Sequence, residues 1–420
     1  MTKTNWAGNI EFSATGVATP STTDEVRALV RSAAPGGLRP LGTRHSFSPV
    51  ADTTGVLVSS AGFASPSDVR IAPDRGSVSV PGGIRYGELA RVIEAEGLAV
   101  ANLASLPHIS VAGAVATGTH GSGTTNGSLA TAVRSIEFVD GSGTLVTLAR
   151  GDRDFEGAVV ALGALGFVTR LELDVEPTFT VAQTVYRELP LEAVLESFDE
   201  VTGLGYSVSL FTTWRRPDIV DQLWLKRRTD RDAPAPDEVL GARPSPIAMH
   251  PIAGVDARYC TPQLGEPGPW LDRLPHFQLE FTPSNGDELQ SEYLVPRGAA
   301  TDALRAVHAL APEIAPLLQV TEIREVAADE LWLSGAFGTD AVGIHFTWLP
   351  RQDEVDALLP RIEERLLPLG ARPHWGKRFA AGVDALAPLY PRFADFRALA
   401  STYDDRGVFR NAFLREKLGL

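Results

Sequence analysis

Two separate loops rich in glycine, serine and threonine constrain the fold of this chain more than any other feature. The first, Arg39-Pro-Leu-Gly-Thr-Arg-His-Ser-Phe-Ser48, follows a short run of mostly apolar residues that ends at Leu41. A glycine at position 42 lets the chain turn with a positive φ and expose consecutive backbone N–H groups, which suits an anion. The next residues add hydroxyl, guanidinium and imidazole groups: Thr43, Arg44, His45 and Ser46. The loop is therefore either an anion-binding turn with a nucleophilic histidine or a surface turn with an ordinary one.

The second loop spans Ala104 to Gly123 and consists largely of small residues, yet it keeps an apolar face through Val111 and Val115. Ser110 is a plausible N-cap, so the sequence predicts a short helix that begins there and directs its positive end at a diphosphate. Neither loop contains a Walker lysine or a complete G-x-G-x-x-G. The alternative is a flexible linker, but a linker does not need an apolar face.

The first 177 residues alternate short strands and helices. Apolar spacing predicts a helix that begins near Thr23, strands at 55–59 and 77–81, and a helix at about 85–96. A β-hairpin is expected across Asp140-Gly-Ser-Gly143. This part of the chain therefore reads as a mixed domain of strands and helices.

The composition shifts after Pro177, because six of the seven tryptophans and six of the seven tyrosines follow it. We interpret the later region as a second domain whose aromatic side chains supply apolar walls for a small-molecule pocket. The alternative is that these side chains fill a different core. Residues 233–254 are rich in proline and alanine and predict an extended surface loop. Helical spacing occurs at 192–201, 302–318 and 354–367.

Two segments of the later region alternate polar and apolar residues, as strands do. Val320 to Val326 would place Glu322 and Arg324 on one face, and Gly343 to Trp348 would do the same for His345 and Thr347. If the two strands share a sheet, these side chains form a polar patch suited to the hydroxyls of a sugar-like molecule. The alternative is a solvated sheet face with an exposed ion pair worth under about 1 kcal/mol.

A third segment, Arg372-Pro-His-Trp-Gly-Lys-Arg378, offers a tight turn at Trp375-Gly376 with His374 and Lys377 on either side. A lysine near a cationic arginine and under a desolvating ring has a lowered pKa, which makes it usable in proton transfer. The alternative is an ordinary surface lysine.

Composition excludes several classes of function. The net charge of −14, with no stripe of lysine and arginine, argues against a nucleic-acid partner. The single cysteine, Cys260, excludes an internal disulfide and a cysteine-based zinc site, and no H-E-x-x-H or comparable spacing predicts another metal site. No segment reaches eighteen uninterrupted apolar residues, so we expect no membrane span and a cytoplasmic monomer.

The histidine in the first loop and the motif S-x-A-G-A-x-A-T-G-T-H-G in the second resemble the FAD-binding domain of the vanillyl-alcohol oxidase family. Within that family the likeness is strongest to the alditol oxidases, and it runs from Asn5-Trp6-Ala7-Gly8-Asn9 to the C-terminus. Pro-His-Trp-Gly-Lys also looks like the C-terminal active-site motif of the family. The resemblance implies a two-domain α+β fold: an FAD-binding domain at 1–177, a substrate-binding cap at 178–372, and a C-terminal segment at 373–420 that returns to the FAD domain.

The resemblance further implies FAD held covalently through His45 by a single link, since Cys260 is far from either loop. The other cofactor-binding positions that it implies are Leu41, Gly42, Thr43, Arg44, Ser46, Ser105, Ser110, Gly113, Ala114, Thr117, Gly118, His120, Val168 and His374. The substrate-lining positions are Ser105, Glu322, Arg324, His345, Thr347 and Lys377. Among these, Lys377, Arg324 and Glu322 are implied to be catalytic.

The implied reaction oxidises the C1 primary alcohol of an alditol, such as xylitol or sorbitol, to the aldose, and reduces O₂ to hydrogen peroxide. Use of O₂ is the weaker part of this expectation, because Ala104 stands where glycine would be the clearer sign of an oxidase. Two alternatives stay open. One is a sugar-1,4-lactone oxidase or dehydrogenase of the same family, and the other is a flavin- or sugar-binding protein without turnover.

Overall fold

A computed structural model describes residues 4–280 and 288–420 of the chain. Its first part contains the strands β1 Gly16–Ala18, β2 Leu38–Leu41, β3 Val56–Ser59, β4 Arg70–Ile71, β5 Ser77–Pro81, β6 Leu98–Ala99, β7 Val133–Asp140, β8 Leu145–Ala149, β9 Gly166–Asp174 and β10 Glu176–Pro177. Within the described residues they form a parallel sheet of order β1-β3-β2, an antiparallel sheet of order β4-β5-β9-β7-β8, and a pair of β6 with β10.

The helices of this part are α1 Thr23–Ser32, α2 Tyr86–Ala95, α3 Val111–Ala116 and α4 Phe155–Val159. Helix α1 forms as its sequence predicts: the Thr22 hydroxyl accepts a hydrogen bond from the Glu25 N–H, and Val26 and Val30 are buried. Gly97 follows α2 with φ +70°, the left-handed conformation that ends a helix. The expected hairpin is the antiparallel pair β7 and β8.

The second part is built on one large antiparallel sheet. Its strands are β11 Thr180–Pro190, β12 Ser207–Thr212, β13 Ile219–Arg228, β14 Pro267–Pro269, β15 Leu289–Pro296, β16 Leu318–Val326, β17 Ala341–Trp348 and β18 Arg372–Pro373. In the described ranges their order is β14-β11-β13-β12-β16-β17-β15-β18. The helices are α5 Leu191–Glu196, α6 Phe198–Thr202, α7 Ala300–His308, α8 Ala311–Ile314, α9 Gln352–Leu366, α10 Val383–Leu386, α11 Phe393–Tyr403 and α12 Ala412–Leu418.

The two alternating segments do share this sheet. Strands β16 and β17 are antiparallel neighbours, and Glu322 lies directly opposite His345. Both strands are buried on both faces, which contradicts the alternative of a solvated face with an exposed ion pair. Their polar side chains face an internal cavity instead of solvent.

The tryptophans and tyrosines in the described residues of the second part do not form the pocket walls that their distribution suggested, although Phe211 and Phe277 line the cavity. Trp214, Trp224, Trp270 and Trp348 are at most 2% exposed and belong to the hydrophobic core. Of the tryptophans and tyrosines in the described ranges, Trp6 alone lines the cavity. The loop at 233–254 is irregular as expected, but it is more than a surface loop, because 250–252 reach the cavity wall.

The C-terminal segment packs against the start of the chain. The Leu38 N–H donates to the Val408 carbonyl at 3.2 Å, and the Asn411 side chain donates to the Val50 carbonyl at 3.1 Å. Arg39, 1% exposed inside β2, donates to four backbone carbonyls, including those of Val50 and Phe409. The division at 177 and 372 stays a prediction; β10 and β11 flank the first boundary, and β18 straddles the second.

None of the helices in residues 4–280 and 288–420 combines the length and apolar character needed to span a bilayer.

Candidate active site

A deep cavity, open to solvent at its mouth, lies between the two loops and the large sheet. It brings together nearly all of the side chains singled out from the sequence. Those from the loops and the first part are Leu41, Gly42, Thr43, Arg44, His45, Ser46, Ser105, Ser110, Gly113, Ala114, Thr117, His120 and Val168. Those from the large sheet and the C-terminal turn are Glu322, Arg324, His345, Thr347, His374 and Lys377. Gly118 is the exception.

The first loop turns differently from the expectation. Gly42 is not among the glycines with a positive φ, and the left-handed residue is Arg44, with φ 67°. Glycine is required at position 42 for space, because a Cβ there would lie 2.6 Å from the Ser110 Oγ. The Thr43 hydroxyl also accepts a hydrogen bond from the Ser110 N–H at 3.2 Å. The two loops are therefore in direct contact.

The second loop forms the predicted helix, but α3 has six residues and the Ser110 side chain does not cap it. Gly113 allows the same close approach, since its Cβ would lie 2.8 Å from the Ser110 Oγ. Gly118 follows the C-cap Thr117 with φ +67° and serves to end the helix. Gly118 does not line the cavity, and its place in the cofactor site stays a prediction.

His45 is a neutral imidazole at the cavity wall. Burial lowers the pKa of His45 to about 4, and the nearby His108, Arg85 and Arg44 act in the same direction. The ring stacks on Trp6 with centroids 5.2 Å apart. Among the described residues its buried Nδ1 has no hydrogen-bond partner. A neutral imidazole with an unpartnered ring nitrogen can act as a nucleophile.

Glu292, on β15, is the centre of the charged wall opposite the loops. Its side chain is 1% exposed, and its Oε1 lies 2.7 Å from the Arg324 Nη2 and 3.2 Å from the His120 Nε2. Its Oε2 lies 3.0 Å from the Lys377 Nζ. Burial alone would raise the pKa of Glu292, but Lys377, Arg324 and His120 hold it well below its usual range. Glu292 is therefore an ionised counter-charge shared by two cations.

Glu322 is the second buried carboxylate of this wall. Its Oε1 accepts a hydrogen bond from the His276 Nε2 at 2.7 Å. Its Oε2 lies 3.6 Å from the Arg324 Nε and 3.8 Å from the His345 Nδ1. Burial raises the pKa of Glu322, but Arg324 and His276 more than offset this and hold it well below its usual range. Two carboxylates thus face two cations, Arg324 and Lys377.

The hydrogen-bond donors of the charged wall point toward the second loop and the cavity. Arg324 Nη1 lies 3.4 Å from the Ser105 Oγ, which joins the sheet to that loop. Burial lowers the pKa of Lys377, as the sequence led us to expect, although Glu292 opposes the shift. Burial also lowers the pKa of His345 to about 4, so this imidazole is neutral. Such a wall can bind hydroxyl groups and stabilise an oxygen that becomes negative.

Sequence reasoning missed Glu292 and His276, which both line the cavity. A signal for Glu292 was present, because it is the one charged residue in the strand Leu-Gln-Ser-Glu-Tyr-Leu-Val-Pro. A buried strand accepts such a residue only when it is paired. No comparable signal marked His276, which lies in an irregular segment. In the part of the chain that the structure describes, no cluster of histidine, cysteine and carboxylate side chains could hold a metal ion.

The loop side of the cavity fits the FAD that the sequence resemblance implies. Gly42 and Gly113 leave backbone accessible where a side chain would collide with Ser110. Leu41 and Val168 offer apolar contacts to a ring system, and hydroxyl groups line the same surface. The buried Nδ1 of His45 has no hydrogen-bond partner among the described residues. A bound ligand can supply that partner. The donor set and the shape of this side therefore agree with a bound dinucleotide.

Comparisons with known proteins agree with this site. A family model described as an FAD binding domain matches residues 14–149, and one described as D-arabinono-1,4-lactone oxidase matches residues 285–417. An alditol oxidase from Streptomyces sp. (strain IKD472 / FERM P-14339) is 51% identical over 99% of this chain and 98% of its own length. An L-gulono-1,4-lactone dehydrogenase from Mycobacterium tuberculosis (strain ATCC 25618 / H37Rv) is 27% identical over 99% of this chain and 98% of its own.

A solved structure of a solvent-stable cholesterol oxidase superposes with a TM-score of 0.77 at 17% identity, and covers 99% of this chain and 97% of its own. At that identity the likeness shows the fold alone. The fold, the FAD-binding match and the 51% identity over nearly the whole length lead to one conclusion. The chain belongs to the vanillyl-alcohol oxidase family of FAD-dependent oxidoreductases.

Proposed function

We propose that this protein oxidises the C1 primary alcohol of an alditol of the xylitol or sorbitol type to the aldose, with O₂ reduced to hydrogen peroxide. The observation that carries the proposal is the pairing of Lys377 and Arg324 with the single carboxylate of Glu292 at the cavity wall. The 51% identity to an alditol oxidase supports the same substrate class. A flavin-binding protein without turnover would have no use for two buried cations balanced in this way.

The cations act on the oxygen of the reacting alcohol. Lys377 Nζ and the Arg324 guanidinium donate hydrogen bonds to that oxygen as its proton leaves, and their positive charge stabilises the developing alkoxide. Ser105 and Thr347 hold the remaining hydroxyls of the chain. Because the wall is buried, these interactions are stronger than they would be in water.

His345 accepts the proton. The Glu322 Oε2, 3.8 Å from the His345 Nδ1, favours the tautomer with its hydrogen on Nδ1. Nε2 is then an acceptor, and it has no partner among the described residues. The substrate hydroxyl supplies the hydrogen bond, and Glu322 stabilises the imidazolium that forms. Because His345 takes the proton, Lys377 stays protonated and donates a hydrogen bond to the substrate oxygen throughout the reaction.

FAD supplies the two-electron acceptor for the C1 hydrogen and passes the electrons to O₂. We propose that His45 holds the cofactor covalently by a single link, because its imidazole is neutral and its buried Nδ1 is unpartnered within the described ranges. His45→Ala should give a flavin that separates from the protein on acid precipitation, and slower turnover. Flavin that stays with the precipitated variant would contradict the link. His108→Ala, which changes a nearby histidine, is the matched control.

We further propose the division into an FAD domain at 1–177, a substrate domain at 178–372 and a returning segment at 373–420. The sheets on either side of residue 177 and the contacts of 407–411 with 36–50 support it. We also propose a monomer in the cytoplasm; the single buried thiol of Cys260 suits a reducing compartment.

Oxidation of a sugar-1,4-lactone is the second candidate, because the C-terminal match is to a lactone oxidase model. Peroxide release and kcat/KM should be compared for xylitol, sorbitol and a pentono-1,4-lactone on the same preparation. The proposal expects the alditols to be preferred. A preference for the lactone would replace it.

A further inference from the structure

A buried lysine and histidine stand behind the Glu322 carboxylate, and the reaction described above does not use them. Lys226, on β13, is 1% exposed, and His276 is 4% exposed. The His276 ring packs edge-on against Trp224 and Phe211, with centroids 5.2 and 5.6 Å away. The position of this imidazole is therefore fixed by packing.

The hydrogen bonds through these two residues have one direction as long as Lys226 is protonated. The Lys226 Nζ lies 2.5 Å from the Leu274 carbonyl, 3.2 Å from the Pro275 carbonyl and 2.9 Å from the His276 Nδ1. Burial lowers the pKa of Lys226 to about 7, although Glu322 opposes the shift, so below that pH the group is mainly an ammonium. An ammonium group has three hydrogens to donate and no lone pair, so the three contacts satisfy it and make Nδ1 an acceptor.

The tautomer of His276 follows from this contact. Burial lowers the pKa of His276 to about 4, and Lys226 adds to the shift, so the ring is neutral and carries one hydrogen. With Nδ1 accepting from Lys226, that hydrogen is on Nε2. It points to the Glu322 Oε1 at 2.7 Å, which must then accept it as a carboxylate oxygen.

We propose that His276, with its tautomer set by Lys226, is a positioning residue that holds Glu322 ionised and in one orientation. Oε1 is occupied by His276, so Oε2 is the oxygen left to face Arg324 and His345. With Oε2 held in this position, Glu322 orients the Arg324 guanidinium and keeps the hydrogen of His345 on Nδ1. The expected effect of His276 on turnover rests on the proposed alditol oxidation, whereas the tautomer of His276 is independent of the substrate.

The tautomer is tested on the unaltered protein. The holoenzyme labelled with ¹⁵N-histidine is examined by NMR at about pH 6, and His276→Gln identifies the resonance of His276. The expected result is a hydrogen on Nε2 in a strong hydrogen bond and an unprotonated Nδ1. A hydrogen on Nδ1, or an imidazolium, would overturn the proposal, whatever the substrate of the enzyme proves to be.

The positioning role is tested with matched variants. His276→Phe keeps an aromatic ring but removes the donor to Glu322, and should lower kcat/KM for xylitol by about 10–100-fold, the range for a buried hydrogen bond to a charged group. His276→Gln retains a donor and should recover most of the loss. Lys226→Met should lower kcat/KM and allow the other tautomer. Ser209→Ala should change little, because the Ser209 Oγ is 3.5 Å from the His276 Nε2.

A merely structural role would not move the pH profile. The groups that act on Glu322 are Arg324, His276, His345, Lys226 and Lys377. Loss of the His276 hydrogen bond removes stabilisation of the carboxylate, so the acid limb of kcat/KM should move to higher pH in His276→Phe. A folded, flavin-loaded His276→Phe with wild-type kcat/KM and acid limb would refute the role. Inactivity of the wild type toward alditols would refute the proposed function instead.

Discussion

The cavity has two walls of different chemistry: the loop wall, formed mainly by the two loops, and the sheet wall, which is the charged wall around Glu292. The loop wall consists mainly of small residues, hydroxyls and backbone, and most of its side chains come from two continuous stretches. The sheet wall consists of buried charges that come from four separate segments around Glu292, Glu322, His345 and Lys377. The loop wall needs close approach of the backbone to a ligand. The sheet wall needs every charge to have its partner, because an unpaired buried charge is costly.

Glu292→Gln should have the largest effect, because it removes the carboxylate paired with Lys377 and one of the two carboxylates that face Arg324. Breaking one partner out of a buried ion pair costs about 3–5 kcal/mol of unfolding free energy. Chemical denaturation of the purified protein measures this change in the free energy of unfolding. Glu192→Gln, which removes the exposed partner of Arg305 at 3.1 Å, is the control and should cost under about 1 kcal/mol. Equal effects of the two substitutions would show that the sheet wall does not depend on charge balance.

Lys377→Met should lower kcat by about 10²–10³-fold, the usual loss when one donor to a developing oxyanion is removed. Its flavin content should stay at the wild-type level, because the loop wall is intact. Steady-state kinetics with xylitol and the visible spectrum give both quantities. The neighbouring cation provides the control: Arg378 pairs with Asp356, and its side chain is absent from the cavity lining. If Arg378→Met lost as much activity, local folding would explain the result.

The free energy of unfolding of the protein should depend on pH through His345 in the sheet wall. The folded pKa of about 4 lies below the ordinary 6.5, so the neutral ring is stabilised. This contribution is present above pH 6.5, and is lost as the pH falls through 4; the difference corresponds to up to about 3 kcal/mol. Unfolding at pH 7 and pH 4 should therefore differ less for His345→Gln than for the wild type. An identical difference in both proteins would exclude a neutral His345.

Gly42→Ala should have the smallest effect and should act on the loop wall alone. The added Cβ would lie 2.6 Å from the Ser110 Oγ and force the loops apart, at a cost of about 1–3 kcal/mol. Flavin content after purification and thermal unfolding measure the two consequences. Gly16→Ala is the control, because Gly16 is not among the glycines with a positive φ and no atom lies within 4 Å of its Cβ. Normal flavin content in Gly42→Ala would show that this contact does not shape the cofactor site.

The sequence was informative where the determinants are local. The helix that begins at Thr23, the hairpin of β7 and β8, and the alternation in β16 and β17 each depend on neighbouring residues, and all are confirmed. The family motifs also lie within short stretches. The reason for glycine at position 42 was wrong, because it depends on Ser110 in the other loop.

The missed residues depend on distant partners. Glu292 acquires its role from Arg324 and Lys377, and His276 acquires its role from Glu322 and Lys226. Periodicity cannot reveal such pairings, since the partners are joined only by the packing of the sheet. The tryptophans and tyrosines of the second part illustrate the converse, because their abundance reflects a large core and not the pocket.

The most direct test of the central claim is the visible spectrum of the purified protein without oxygen, before and after addition of xylitol, and again after admission of air. The account predicts that xylitol bleaches the flavin band near about 450 nm, and that air restores it with formation of peroxide. Bleaching that air does not reverse would keep the alditol and contradict the use of O₂, with Ala104 as the first residue to change. A flavin band that xylitol leaves unchanged, but a sugar lactone bleaches, would contradict the proposed reaction itself.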